Sequence, residues 1–394
     1  MIPAHAPLSL YIHIPFCREK CAYCAFYSLP QSMYECSLVE RFHQNLLEEI
    51  RQLCAMRTHP FETVFLGGGN PGILSVQQLC TLLEPIQALG PPCEITMEIN
   101  PESITAEHEA LAGSGLNRIS IGIQSLRQQH LDTLGRNAKL EHMVQALDLV
   151  GRMRKRTGWR LNCDLMTCIP GQSVTDALDD IDDLVSLAEP DHISLYNLTV
   201  EEGTQLARRV GSDALVLLDE DDEEKMLRSC WEHLEVLGFA QYEISNFARS
   251  LQSRCIHNER YWNLDDYVGL GPTAAGTIAC SDRALRITGA PSVHAYLEGK
   301  PFSTYGTEML HRHEVMEEQL LMSLRTSDGI DKNRWLFRFG VPFDDLFASQ
   351  VEALRGGELN LFTDSDARFS LTKEGLMVCD AIILHLSSAL RPPS

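Results

Sequence analysis

The chain has 394 residues, 44% of them apolar and 22% charged, with a formal net charge of −21. That length supports a well-buried core divided over two or three domains. The acidic balance disfavours nonspecific binding to nucleic acid or to anionic membranes, and no stretch approaches the roughly 18 uninterrupted apolar residues of a membrane span.

The N-terminus, MIPAHAPLSLY, has no basic segment leading into a long apolar core, which argues against a secretory signal. Of the 13 cysteines, ten are scattered singly through apolar runs. With the odd total, they point to a reducing cytoplasm rather than a disulfide scaffold.

In chain order, an apolar run over Leu8 to Pro15 predicts the first strand. It runs directly into YIHIPFCREKCAYCAFY, where Cys17, Cys21 and Cys24 stand in a C-x3-C-x2-C array. Disulfides cannot satisfy three neighbouring cysteines. A tetrahedral zinc would need a fourth ligand from elsewhere. Three thiolates without an obvious fourth suit a [4Fe–4S] cluster with one iron open to another ligand. Three unrelated buried cysteines are the bland alternative.

The next segment carries Leu38, Phe42, Leu46, Ile50 and Leu53 or Cys54 on one helical stripe. Further strands are expected at Glu62 to Leu66, Glu94 to Asn100, Arg118 to Gln124, Arg160 to Met166 and His192 to Leu198. Several read as almost continuously apolar, as strands covered on both faces do. Helices are expected at Val76 to Leu89, Ala106 to Ala112, Leu140 to Met153 and Thr175 to Leu187.

Six such units imply a parallel sheet with right-handed crossovers. Both a partial TIM-like barrel and a doubly wound sheet fit, and either one puts its site at the carboxyl ends of the strands. GGGNPG, Gly67 to Gly72, ends the second strand and allows close backbone approach. Glu98 lies near the end of strand three, Gln124 ends strand four, and Asp164 lies within strand five.

The acidic stretches Asp176 to Asp183 and Asp219 to Glu224 read as solvated faces. Beyond residue 200 the alternation fades. A helix over Glu223 to Leu237 leads into a Gly- and aromatic-rich region, Gly238 to Thr288. From Ser303 the chain is mainly helical, with a strand-like Ala367 to Leu371 and a helix over Leu376 to Leu386. That pattern predicts a winged-helix-like ending.

The cysteine array, with an aromatic before its third cysteine, resembles the signature of the radical S-adenosylmethionine (SAM) superfamily. The fuller string is similar to the coproporphyrinogen III dehydrogenase-like (HemN/HemW) family. The resemblance favours an α/β fold, a partial (β/α)6 barrel with a C-terminal, mainly helical domain. It divides the chain into a core over 1–235, a linking region over 236–300 and a C-terminal domain over 301–394. It implies that Cys17, Cys21 and Cys24 hold the cluster, with Tyr11 and Tyr23 beside it. By the same match, Gly68, Gly69, Asn70, Glu98, Gln124, Arg136 and Asp164 contact SAM. Two carboxylates and an amide suit ribose hydroxyls and an amino group, and an Arg can pair a carboxylate.

Asn70 stands where the family usually has Thr, Gly72 where it has Ser or Thr, and Ala275 where a His is common. Phe26 occupies the position of a fourth cysteine in the dehydrogenases, and HNERYW, His257 to Trp262, matches a motif linked to heme binding. Both point to the heme-chaperone branch, with His257 as the candidate axial ligand. The implied partners are heme, a heme-acceptor protein and, if SAM is cleaved, an electron donor. The oxygen-independent coproporphyrinogen III dehydrogenase is the alternative function.

Overall fold

The computed structural model describes residues 6–357 and 359–390. Six strands lie parallel and in sequence order: Ser9–Ile14 (β1), Thr63–Gly68 (β2), Glu94–Ile99 (β3), Arg118–Gln124 (β4), Arg160–Thr167 (β5) and His192–Asn197 (β6). A doubly wound sheet would reverse its strand order at a switch point. Sequential order instead places the right-handed crossovers on one face and curls the sheet into a partial barrel.

The crossovers are built by Cys36–Ala55 (α1), Val76–Leu89 (α2), Gln128–Thr133 (α3), Leu140–Thr157 (α4) and Val174–Ala188 (α5). Ser75 with Gln78, and Ser173 with Asp176, close reciprocal capping boxes that fix where α2 and α5 begin. The expected helix at Ala106 to Ala112 is instead a 3-10 run, Ala106–Ser114, ending at Gly115 with φ 84°. Gly113 and Gly115 remove helix propensity where an α-helix would have to close its last turn.

The strands alternate strictly rather than being apolar throughout, which corrects the sequence reading. Leu10, Ile12, Val64, Leu66, Ile95, Met97, Ile119, Ile121, Leu161, Ile193 and Leu195 are buried under the helices. The paired register carries the opposite face across the sheet: Tyr11 beside Phe65, Glu98 beside Ser120, Gly122 beside Asp164 and Asn162 beside His192. The outer face is a hydrocarbon seam, and the barrel lining is polar.

After β6 come Gln205–Gly211 (α6), Glu220–Val236 (α7) and a hairpin of Ala240–Glu243 (β7) with Asn246–Ala248 (β8), which pairs antiparallel to β6. The helix Ile256–Trp262 (α8) precedes Tyr267–Leu270 (β9), which pairs parallel to β1. Ala275–Cys280 (β10), Arg283–Thr288 (β11) and Gly306–Leu310 (β12) continue antiparallel, with Val293–Glu298 (α9) between the last two. The twelve strands thus form one sheet in the order β12-β11-β10-β9-β1-β2-β3-β4-β5-β6-β8-β7.

The C-terminal part runs Arg312–Leu324 (α10), Ile330–Asp331 (β13), Lys332–Phe339 (α11), Phe343–Arg355 (α12), then the hairpin Phe362–Asp364 (β14) and Arg368–Leu371 (β15). Helix, strand, two helices and a hairpin is the winged-helix order. Trp335, Phe339, Phe343, Phe347 and Phe369 pack edge and face in its core. The helix expected at Leu376 to Leu386 breaks at Val378 into Lys373–Met377 (α13) and Cys379–Ser387 (α14).

Candidate functional site

At the carboxyl ends of β1 to β6 a cavity of about 480 Å³ opens, within the usual range of roughly 300–1,000 Å³ for ligand pockets. The loop after β1 forms its rim. Cys17 is buried there, held by its backbone carbonyl, which accepts from the Tyr34 hydroxyl at 3.0 Å, while Cys21 and Cys24 are half-buried. All three border the cavity. Burial first, then the charges of Cys24 and Cys21, push the Cys17 thiol up to about 11. Three thiolates so placed call for a compensating cation.

Among the described residues no three acidic, His or Cys side chains converge on a single-ion site. Zinc at about 2.3 Å from each sulfur would draw them together; a cubane holds its cysteines at separate corners. The fourth-cysteine position, Phe26, is 71% exposed at the rim.

Beside the cysteines the glycines of β2 make a cradle. Gly68 has φ 107°, and a Cβ there would lie 2.4 Å from the His13 ring; one on Gly69 would lie 2.6 Å from the Phe16 carbonyl oxygen. His13 is buried and structural, linking the Tyr11 hydroxyl to the Tyr27 carbonyl at 3.0 Å each. Glu98 accepts from the Gly68 N–H at 3.2 Å. Burial, then the charge of Asp164, push the Glu98 carboxyl up to about 7. Asp164 is itself raised by burial, against hydrogen bonds from Asn162 at 2.8 Å and Ser120 at 3.3 Å.

Gln124 sits at φ 70°, where the β4–β5 register slips after Gly122. This bulge re-aims the amide at the cavity. A Cβ on Gly122 would come within 2.8 Å of that amide. The buried Arg136 guanidinium donates to Asn100 at 3.2 Å and bonds the Tyr23 hydroxyl.

Every expected site residue borders this cavity except Asn70. The Asn70 side chain is buried in the turn, donating to Ser103 at 2.7 Å and accepting from the N–H groups of Gly72 and Asn100. Through these bonds the side chain joins the β2 and β3 turns.

HNERYW, expected to carry the axial heme ligand, also reaches this cavity through His257 and Tyr261. It forms α8, whose first N–H groups, Ile256 and His257, are taken by Glu94 at 3.2 and 2.9 Å. Glu94 opens β3, so α8 closes the barrel at the amino ends of the strands. His257 is fully buried, stacked on Phe65 at 5.1 Å. The Thr63 hydroxyl donates to Ser9 at 2.9 Å and lies 2.7 Å from His257 Nδ1. Nδ1–H therefore donates to Thr63, and Nε2 is left to accept from the Tyr261 hydroxyl at 2.6 Å. Burial, then the Arg118 and Arg260 charges, bring the His257 pKa down to about 3. The imidazole is neutral, with both ring nitrogens hydrogen-bonded, and it forms part of the cavity floor.

The sequence reading missed further polar lining, including Arg118, Ser120, Asn162, Ser194 and Tyr196. Arg118 is 2% exposed, with an unpartnered Nε, and its charge opposes the rise of the Glu98 carboxyl. Period-two alternation within each strand marks these positions.

The residues fit a [4Fe–4S] cluster on Cys17, Cys21 and Cys24 with SAM against the glycine cradle. Glu98, Asp164 and Gln124 would hold its polar groups and Arg136 its carboxylate. Bound there, the cluster would supply the electron should SAM be cleaved, and the chain's own part is to orient SAM and to exclude water.

This partial barrel with its cysteine loop after the first strand defines the radical SAM class. The Radical SAM superfamily pattern matches residues 11–184, and that of the HemN C-terminal domain matches residues 310–378. "Radical S-adenosyl methionine domain-containing protein 1, mitochondrial" of Danio rerio is 33% identical over 397 aligned positions, covering 97% of this chain and 87% of that protein. "Heme chaperone HemW" of Lactococcus lactis is 32% identical, covering 94% of each. The structure of coproporphyrinogen III oxidase (HemN) from Escherichia coli superposes with a TM-score of 0.79 at 19% identity, over 98% of this chain and 91% of that one. The chain belongs to the HemN/HemW family of radical SAM proteins, among relatives of the HemW kind.

Proposed function

We infer that this protein is a heme chaperone: it binds heme, carries a [4Fe–4S] cluster with exchangeable SAM, and passes heme to an acceptor protein. The single observation that carries this reading is identity of 30–35% to HemW heme chaperones of several bacteria, over most of the chain. Phe26 supports it locally, since the phenyl ring at the rim cannot ligate iron. The likeness to HemN, at 19% identity, speaks for the fold alone.

Thirteen free cysteines suit a reducing cytoplasm, and no helix among the described residues is long and apolar enough to cross a membrane. The acceptor, and an electron donor if SAM is cleaved, complete the proposed partners.

The test is product analysis after anaerobic reconstitution with cluster, SAM and a reductant. Coproporphyrinogen III offered to this protein should be recovered unchanged. Protoporphyrinogen IX above a cluster-free control would move the chain to the dehydrogenase class.

A further inference from the structure

A second cavity, of about 660 Å³, lies at the opposite end of the barrel from the cysteines. It is bounded by α8 and the turn into β9 on one side and by α11 on the other. Three guanidinium groups border it: Arg260, Arg334 and Arg338. Arg260 and Arg334 share one carboxylate, Asp265.

Arg338 has no ion pair among the described residues. It donates to the Leu264 carbonyl at a long 3.4 Å, and its Nε is buried without a partner. Burial, then the charge of Arg334, lower the Arg338 pKa, against the opposing charges of Asp266, Asp265 and Glu318. Asp266 and Glu62 also border the space. Asp266, however, accepts from the Ala279 N–H at 2.8 Å, and burial raises its carboxyl.

Next to Arg338 the ring of Phe337 is 92% exposed. A bare aromatic beside a guanidinium that closes no ion pair among the described residues suits an apolar plate carrying carboxylates.

We propose that this cavity is where the protein docks heme, with the propionates on Arg338 and Arg334 and the porphyrin face over Phe337. The proposal rests on the heme-chaperone reading and names its site. It also accounts for HNERYW: His257 and Tyr261 face the barrel interior, while Arg260 of the same helix faces this second cavity. No residue bordering it offers an imidazole, thiolate, thioether or phenol. The carboxylates and the plate therefore hold the ligand, and the iron does not, which suits a carrier that must release its load.

The test titrates the reconstituted protein with heme, with metal-free protoporphyrin IX and with heme dimethyl ester, reading Soret absorbance and tryptophan quenching. Trp335 on α11 is the nearby reporter. Heme and protoporphyrin IX should bind alike and the diester should bind poorly. Arg338→Gln and Phe337→Ser, both outside the cluster and SAM residues, should each weaken heme binding by about tenfold.

Wild type that binds heme no more tightly than these variants would overturn the site and leave the chaperone reading standing. Binding of heme without protoporphyrin IX would also overturn it, by showing an iron ligand at work. Wild type that binds no porphyrin would remove the chaperone reading and this site together.

Discussion

The imidazole of His257 holds the floor of the barrel through one hydrogen bond to Thr63 and one to Tyr261. Replacing it with Ala should leave the Thr63 and Tyr261 hydroxyls short of a buried partner. The expected destabilisation is about 2–4 kcal/mol, against about zero for the exposed His294→Ala. Denaturant unfolding of the two variants measures it, and equal midpoints would show that the floor does not depend on His257.

The cysteines are tested by composition. Ala at Cys17, Cys21 or Cys24 should abolish stable iron and sulfide incorporation, while Ala at the exposed Cys36 should not. A normal cluster spectrum in Cys21→Ala would refute the ligand set.

At Gly68, an Ala at φ 107° would meet the His13 ring at 2.4 Å. We expect the loss to appear in SAM affinity as well as in stability, because the same turn places the Glu98 hydrogen bond. Equilibrium dialysis of labelled SAM would show it, and unchanged affinity would exclude the cradle from SAM binding.

Between elements, Glu49 is the clearest connection. From α1 it accepts the Tyr296 hydroxyl at 2.6 Å and the Tyr305 hydroxyl at 3.1 Å, tying α9 and the following loop to the barrel. Burial raises its carboxyl above the ordinary 4.5, although those hydrogen bonds pull the other way. A raised acid favours the folded state most below 4.5, and that contribution is lost as pH rises through the folded value. Glu49→Gln should therefore flatten the fall in melting temperature on going upward from pH 4.5. A parallel pH curve would contradict the assignment.

How much was legible in the sequence also divides by element. The six β-then-α units were readable because each strand is short and β-branched and each helix carries a stripe. Glu98 and Gln124 followed from their place at strand ends, and Tyr11 and Asp164 from the family resemblance. Arg118, Ser120, Asn162 and Ser194 are hard to read from the sequence because the high apolar content of their strands masks the alternation. They sit at every second position of strands such as RISIGIQ and RLNCDLMT. The pairing of β9 with β1 was not readable, because a parallel contact between Ser9 and Tyr267 is settled by tertiary packing, not by local pattern. The same holds for α8. Its motif is plain in the sequence, but which face turns inward depends on Glu94 and Thr63, far away in the chain.

Over the whole molecule, the sheet separates two openings. One end carries the cysteine loop, the glycine cradle and the paired carboxylates; the other carries three arginines and a bare phenyl ring. In this arrangement heme need not share the SAM cavity. Heme loading should leave the cluster spectrum unchanged, and saturating SAM should not displace heme.

The most direct measurement is a heme titration of the anaerobically reconstituted, SAM-loaded protein, followed by its Soret band and the cluster absorption together. The account predicts a Soret signal that saturates at a fixed ratio of heme to chain while the cluster bands stay as they were. A Soret signal that grows in proportion to free heme without saturating would contradict it.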